Sequence, residues 1–276
     1  MRCRLAIFLL CSIFFFAACQ SSSNENTSVT KRNNKKSAEE ALETVFKIED
    51  AITNFFKKRD RNSAEELMSE VSKNKVAEGS FKDERDGTVY KSVQIGKQWW
   101  MVENLKFPQG EAVCYKKDSI NCEKYGRLYS WDEAEKACPP GWHLPQVSEV
   151  EILLKNAGGV QDEEKKFLWH NAGYFLKAKT GWQDYDEGVS GNGFDVLGFS
   201  AIAAGRFADD FFGFYWLNVG AWFIVSRKNA PCRFNMLLMG FDSGDATLFC
   251  QSEDSGNEKL LGEIESSRYS VRCVKD

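Results

Sequence analysis

The six cysteines Cys114, Cys122, Cys138, Cys232, Cys250 and Cys273 constrain the fold of this 276-residue chain more than any other feature. An even number suits an exported, disulfide-stapled domain, but six cysteines allow fifteen pairings, so the count fixes no connectivity. The surroundings of Cys138 say more. In YSWDEAEKAC, Ser130 and Glu133 have the spacing of a capping box, which puts Ala134 and Ala137 on the inner side of a short helix. Pro139, Pro140 and Gly141 then stop that helix, and Trp142 to Leu144 reads as extended. A second helix follows, with Val147, Val150, Leu154 and Ala157 on one face and Gly158 and Gly159 at its C-terminal stop.

The N-terminus reads as an export signal. Arg2 and Arg4 precede LAIFLLCSIFFFAA, a 14-residue apolar run. A membrane-spanning helix needs about 20 such residues, so this is the layout of a secretory signal over residues 1–18. The run ends FAAC, which resembles the lipobox of bacterial lipoproteins, with Phe16 in place of the usual Leu. The resemblance implies cleavage before Cys19, lipid on Cys19, and, because Gln20 replaces the Asp that marks inner-membrane retention, an outer-membrane lipoprotein. Residues 19–36 form a polar tether too poor in apolar residues to pack.

Residues 37–78 read as a helical stalk or hairpin. Ser37 with Glu40 and Ser63 with Glu66 have capping-box spacing, and Ala41, Val45, Ile48, Ile52 and Phe55 form a 4-3-4-3 seam. Ala64, Leu67, Met68 and Val71 make a shorter stripe; the two helices either pair or pack on the main domain or a partner. Composition changes near Asp83. TVYKSVQI and QWWMV around Gly96 and Lys97 read as a β-hairpin with Val89, Val93 and Ile95 alternating, and GFSAIAAG, GAWFIVS and YSVRCV are further strand candidates. Residues 83–276 are expected to be one α+β domain.

The order helix, Cys138, GWHL, helix and a final strand bearing Cys273 resembles the C-type-lectin-like fold: short mixed or antiparallel strands and two helices. That resemblance implies disulfides between Cys138 and Cys273 and between Cys232 and Cys250, leaving Cys114 and Cys122 to close a local loop. Five ordered blocks, DGTVYKSVQIGKQWWMVENL, CYKKDSINCEKYGRLYSWDEAEKACPPGWHLP, AGYFLKAKTGW, GFSAIAAGR and SVRCVKD, resemble the Fibrobacter succinogenes major paralogous domain. This implies a secreted or surface-anchored bacterial module. One segment departs: AWFIVSRKN stands where the family has a Trp-rich strand followed by paired serines.

Chemistry is sparse. The net charge of −4, which becomes −6 once Arg2 and Arg4 are removed, argues against nucleic-acid binding. The triplets that hold calcium in many lectins do not occur, and the acidic loops at Asp184, Asp186 and Glu187, Asp209 and Asp210, and Asp242 and Asp245 read as solvated surface. The formylglycine-generating enzymes share the broad lectin-like fold and use a close pair of reactive cysteines. Here the close pair, Cys114 and Cys122, precedes the first helix. Of the two histidines, His143 reads as packed and His170 as surface, so no enzyme, cofactor or metal is expected. The remaining anomaly is ADDFFGFYWLNVGAW: one strand face cannot bury all of Phe211, Phe212, Phe214, Tyr215 and Trp216.

The expected activity is binding, of a polysaccharide or surface glycan, through Tyr215, Trp216, Asn218, Trp222, Asp209 and Asp210. The alternative is an envelope scaffold or adhesin that docks a protein; an oxidase of the formylglycine-generating type comes third.

Overall fold

The computed structural model describes residues 61–276, except 186–188, 209–212, 231 and 253–257 and the side chain of Val76. The signal segment, Cys19, the tether and the seam from Ala41 to Phe55 lie outside the described residues. A helix over residues 61–72 (α1) leads into β1 (Lys75–Lys82), β2 (Val89–Ile95), β3 (Gln98–Met101) and β4 (Val113–Cys114). Next come α2 (Ser119–Tyr125), β5 (Arg127–Tyr129), α3 (Trp131–Ala134), β6 (Trp142–His143), α4 (Val147–Asn156), β7 (Val160–Gln161), β8 (Leu168–His170) and α5 (Ala172–Leu176). The second half holds β9 (Ala204–Phe207), β10 (Phe214–Leu217), β11 (Gly220–Val225), β12 (Phe234–Gly240), β13 (Ala246–Gln251), α6 (Glu258–Ser266), β14 (Tyr269–Ser270) and β15 (Val274–Lys275). The domain is α+β.

A five-stranded antiparallel sheet runs β1-β2-β3-β15-β6, and an eight-stranded sheet runs β4-β5-β14-β11-β12-β13-β8-β7; β9 and β10 form a separate ribbon. In the large sheet β11 and β14 are parallel, through Phe223 and Ser270. Strand β11 reads as one apolar run because it is buried on both faces: Ala221, Phe223 and Val225 join a core around Trp100, Trp169 and Phe175, while Ile224 joins another around Tyr129, Trp131 and Tyr269.

The capping box at Ser130 forms, with Ala134 and Ala137 fully buried. Helix α4 buries Val150, Leu153, Leu154 and Ala157. It ends in a Schellman motif, in which Gly158 N–H donates to Lys155 O and Gly159 N–H to Leu154 O, with Gly158 at φ 68°. The β2–β3 hairpin turns at Gly96 and Lys97, Ile95 pairing with Gln98. The three disulfides are those the resemblance implied: Cys114–Cys122, Cys138–Cys273 and Cys232–Cys250, with Cα separations of 4.9, 5.9 and 5.6 Å.

Several expectations are corrected. Residues 75–78 are strand, not helix, because β1 pairs along its length with β2. The domain therefore begins upstream of Asp83, and α1 packs on it through Ala64 and Val71. Ser63 lies inside α1 and caps nothing, since residues 61 and 62 are already helical. Val89 is 63% exposed, and Tyr90 is buried in its place. Only the end of GFSAIAAG is strand. The terminal YSVRCV is not one strand either: β14 belongs to the large sheet and β15 to the small one. Two helices were expected, α3 and α4, and α1, α2, α5 and α6 accompany them.

The segment between β14 and β15 is buried throughout. Arg272 donates to Asn104 Oδ1 at 2.9 Å and to the carbonyls of Phe199 and Ser200, with its guanidinium 4.5 Å from the Phe199 ring. Burial pushes its pKa down to about 9, so the charge is held by oriented dipoles and ring faces instead of by a carboxylate in contact.

Candidate functional site

The aromatic anomaly resolves at the ribbon of β9 and β10. Phe214 pairs with Phe207, Tyr215 with Arg206 and Leu217 with Ala204. The Phe214 ring lies 5.0 Å from Phe207 and 5.2 Å from Tyr115, and the Tyr115 hydroxyl bonds the Leu217 backbone. Alternation would place Trp216 on the Phe214 side, above Gly205 and Tyr115. There is no room there: even a Cβ at Gly205 would run into the Tyr215 carbonyl oxygen and the Tyr115 ring. The chain responds with left-handed backbone on both strands, φ 69° at Gly205 and 68° at Trp216. For tryptophan this is a true outlier. The indole is left 53% exposed, with its ring 5.3 Å from Trp222 and nearly edge-on to it at 71°. Trp222 in turn lies over Gly220, where no side chain would fit.

Asn218 follows, also left-handed at φ 65°. Its N–H donates to Ala203 O at 2.9 Å, and its carbonyl accepts from Gln183 N–H at 2.7 Å. The side-chain amide has no hydrogen bond among the described residues and faces solvent. The structure thus brings Tyr215, Trp216, Asn218 and Trp222 together at the turn from β10 to β11. Asp209 and Asp210, with Phe211 and Phe212, lie outside the described residues. Sequence reasoning missed Tyr115, Gly205 and Arg206, whose guanidinium sits 5.9 Å from the Tyr215 ring. An isolated glycine before Arg206, in GFSAIAAGR, is the one local signal of a close backbone approach.

The titratable groups elsewhere are tied into the frame. His143, expected to be packed, is partly exposed and bridges Asp276 at 2.5 Å and Glu149 at 2.9 Å. His170 bridges Asp245 at 3.2 Å and Asp162 at 3.1 Å. Burial lowers both histidine pKa values, but the flanking carboxylates outweigh it, and both end above the ordinary value. Lys177 is buried and donates to Gly240 O at 3.0 Å and Ser243 O at 2.8 Å; burial pushes its pKa down to about 7. Among the described residues no three His, Cys, Asp or Glu side chains are grouped to hold a metal, and every cysteine is in a disulfide. What the geometry offers is a surface: an exposed indole, a second indole bracing it, and a free amide beside them.

No curated protein and no solved structure matches this chain. A family model does, over residues 93–275, which contain the ribbon, all three disulfides and the whole eight-stranded sheet, but not β1 or the first half of β2. The chain belongs to the family of the Fibrobacter succinogenes major domain.

Proposed function

We propose that this protein is a non-catalytic binding module of the cell envelope, lipid-anchored at Cys19 to the outer membrane, whose C-type-lectin-like core presents an aromatic platform to a surface glycan. The observation that carries the reading is Trp216: a half-exposed indole held by an unfavourable backbone conformation and braced by Trp222. Strained backbone of this kind costs about 1–3 kcal/mol and clusters at ligand clamps. The lectin-like assignment draws support from the Cys138–Cys273 link between the segment after α3 and the segment before β15. Export draws support from the three disulfides. Sugar rings pack their apolar faces on indoles, while Asn218, Asp209 and Asp210 supply hydrogen bonds that set orientation.

The test is a glycan array probed with the full-length protein in detergent, followed by titration of the best ligand. Truncation of a comparable aromatic anchor costs about 2 kcal/mol or more, so Trp216→Ala is expected to weaken binding at least tenfold with an unchanged melting temperature, and EDTA to have no effect. Loss of binding through unfolding would assign Trp216 to the core. A protein that ignores every glycan but retains one envelope protein through purification would point to the scaffold instead.

A further inference from the structure

The platform does not end at Asn218. Strands β11 and β12 pair Gly220 with Gly240, and Phe241 N–H donates to Val219 O at 2.8 Å. Asn218 and Asp242 therefore lie across from each other at the same end of the ladder. Beyond Asp242 opens a cavity of about 490 Å³ lined by His170, Asn171, Tyr174, Asp242, Ser243 and Asp245. Gln183 N–H donates to Asn218 O, and the Tyr185 ring lies 5.9 Å from that of Phe241, next to Asp242, so one edge of the domain runs from Trp216 through Asn218 and the segment bearing Asp184 toward this cavity.

That edge is built. The Lys177 ammonium holds the carbonyls of Gly240 and Ser243, the Tyr174 ring packs so closely on Gly244 that no Cβ would fit there, and Tyr174 N–H donates to Gly244 O at 3.0 Å. Asp245 is committed: its carboxylate meets His170 Nδ1 and accepts from Asn171 N–H. Asp242 is not. Its carboxylate is exposed and has no hydrogen-bond or ion-pair partner among the described residues, and the side-chain amide of the half-buried Asn171 has none either. A rigid turn thus presents an open carboxylate and an open amide, a pair suited to the neighbouring hydroxyls of a sugar. The charge of the edge restricts the ligand. Asp184, Asp242 and Asp245 are acidic, while the His170 imidazole is taken up between Asp245 and Asp162, Lys177 is buried beneath the turn and the Arg61 guanidinium is occupied by Ser190 O, Asn192 O and the Phe194 ring.

We infer that the cavity at Asp242 and Asn171 is a second saccharide subsite on the same edge as the Trp216 platform, so that the protein takes a glycan chain spanning both, and that this chain is neutral or amino-substituted and not uronic. The inference rests on the glycan-binding reading. Its test measures affinity of the full-length protein in detergent for β-1,4-linked glucose, N-acetylglucosamine and glucosamine oligomers from di- to hexasaccharide, and for the matching galacturonate oligomers. Affinity is expected to rise with length in at least one of the first three series. Asp242→Ala, at the surface, and Asn171→Gly, which keeps the left-handed backbone at φ 66°, are expected to remove about tenfold of that rise while leaving disaccharide affinity unchanged. Galacturonate is expected to bind at least tenfold more weakly, and Asp242→Asn to narrow the gap. If Trp216→Ala abolishes binding but the two cavity variants keep the full length dependence, the second subsite is overturned and the platform stands. If Trp216→Ala has no effect, the platform itself falls. Tighter binding of galacturonate would overturn the charge argument, and no binding in any series would overturn both readings.

Discussion

The five-stranded sheet and the stretch from Asp195 to Asn229 follow opposite rules. Within residues 75–101, among the described residues, no residue other than glycine has a left-handed backbone. Among the described residues between 195 and 229 five do: Asp195, Ser200, Trp216, Asn218 and Asn229. The first region keeps ordinary backbone conformations at its described non-glycine residues and is closed by distant ties, through the Cys138–Cys273 disulfide and the pairing of β15 between β3 and β6. The second violates propensity repeatedly, and it is the region that exposes an indole. The difference shows where stability is made and where it is used: a frame secured at long range lets a neighbouring surface keep costly conformations.

The strongest way to break this comparison is to open the frame. In the chain-entropy account a 135-residue closure contributes about 5 kcal/mol, and the eight-residue closure of Cys114 and Cys122 about 2.5 kcal/mol. Replacing Cys138 and Cys273 together by Ala should lower urea stability roughly twice as much as replacing Cys114 and Cys122. Equal losses would mean the long closure has no special role.

Arg272 joins the two regions directly, since Asn104 follows the small sheet while Phe199 and Ser200 lie in the irregular stretch. Arg272→Met would strand these acceptors and is expected to cost about 3 kcal/mol. Hydrogen exchange should show protection lost around residues 195–204 before β2. Uniform loss would contradict a local tie.

Within the irregular stretch, Gly205→Ala places a Cβ against the Tyr215 carbonyl at positive φ. A cost of about 2 kcal/mol is expected, together with quenching or dequenching of the Trp216 fluorescence. Trp216→Gly should go the other way, gaining about 1 kcal/mol by relieving the left-handed tryptophan while removing the glycan affinity proposed above. A loss of stability in Trp216→Gly would show that the indole's contacts outweigh its strain.

The smallest effect concerns pH. His143 and His170 both have pKa values raised above the ordinary 6.5. The folded protein therefore holds their protons more tightly than the unfolded chain, so their stabilisation is complete below about pH 6.5 and is lost as pH rises through the raised values. Lys177, pushed down to about 7, acts in the opposite sense above that pH. The difference between wild type and His143→Gln or His170→Gln isolates the histidines: each variant should lose stability at about pH 6 and little at about pH 8.

What was legible in the sequence follows the same division. The capping box at Ser130, the glycine stop at Gly158 and the turn at Gly96 and Lys97 are local signals with one physical meaning each, and they form. The cysteine pairs were reached through resemblance, and they too form. Strand β1 was missed because KVAEGSFK has neither alternation nor a β-branched majority, and its structure comes from pairing with β2. At the candidate site, the crowding of aromatics announced that some must turn outward. Which one does so was decided by Gly205 and Tyr115, the latter about 100 positions away, and no window along the chain contains that information. Arg272 was equally silent, since an arginine in SVRCV reads as an outward-facing residue of an edge strand.

The placing of β14 and β15 also sets an order of events. Tyr269 to Lys275 supplies a middle strand to each sheet, between β5 and β11 in one and between β3 and β6 in the other. As the chain is synthesised, β1, β2 and β3 emerge early and wait some 170 residues for the strand that joins them to β6. Their open edge and the facing apolar side chains of Val93, Ile95 and Trp100 are meanwhile available to wrong neighbours. Folding of this domain is therefore a period of exposure that ends only when its last few residues arrive, and a holding chaperone would have its work at the beginning of the domain, not at its end.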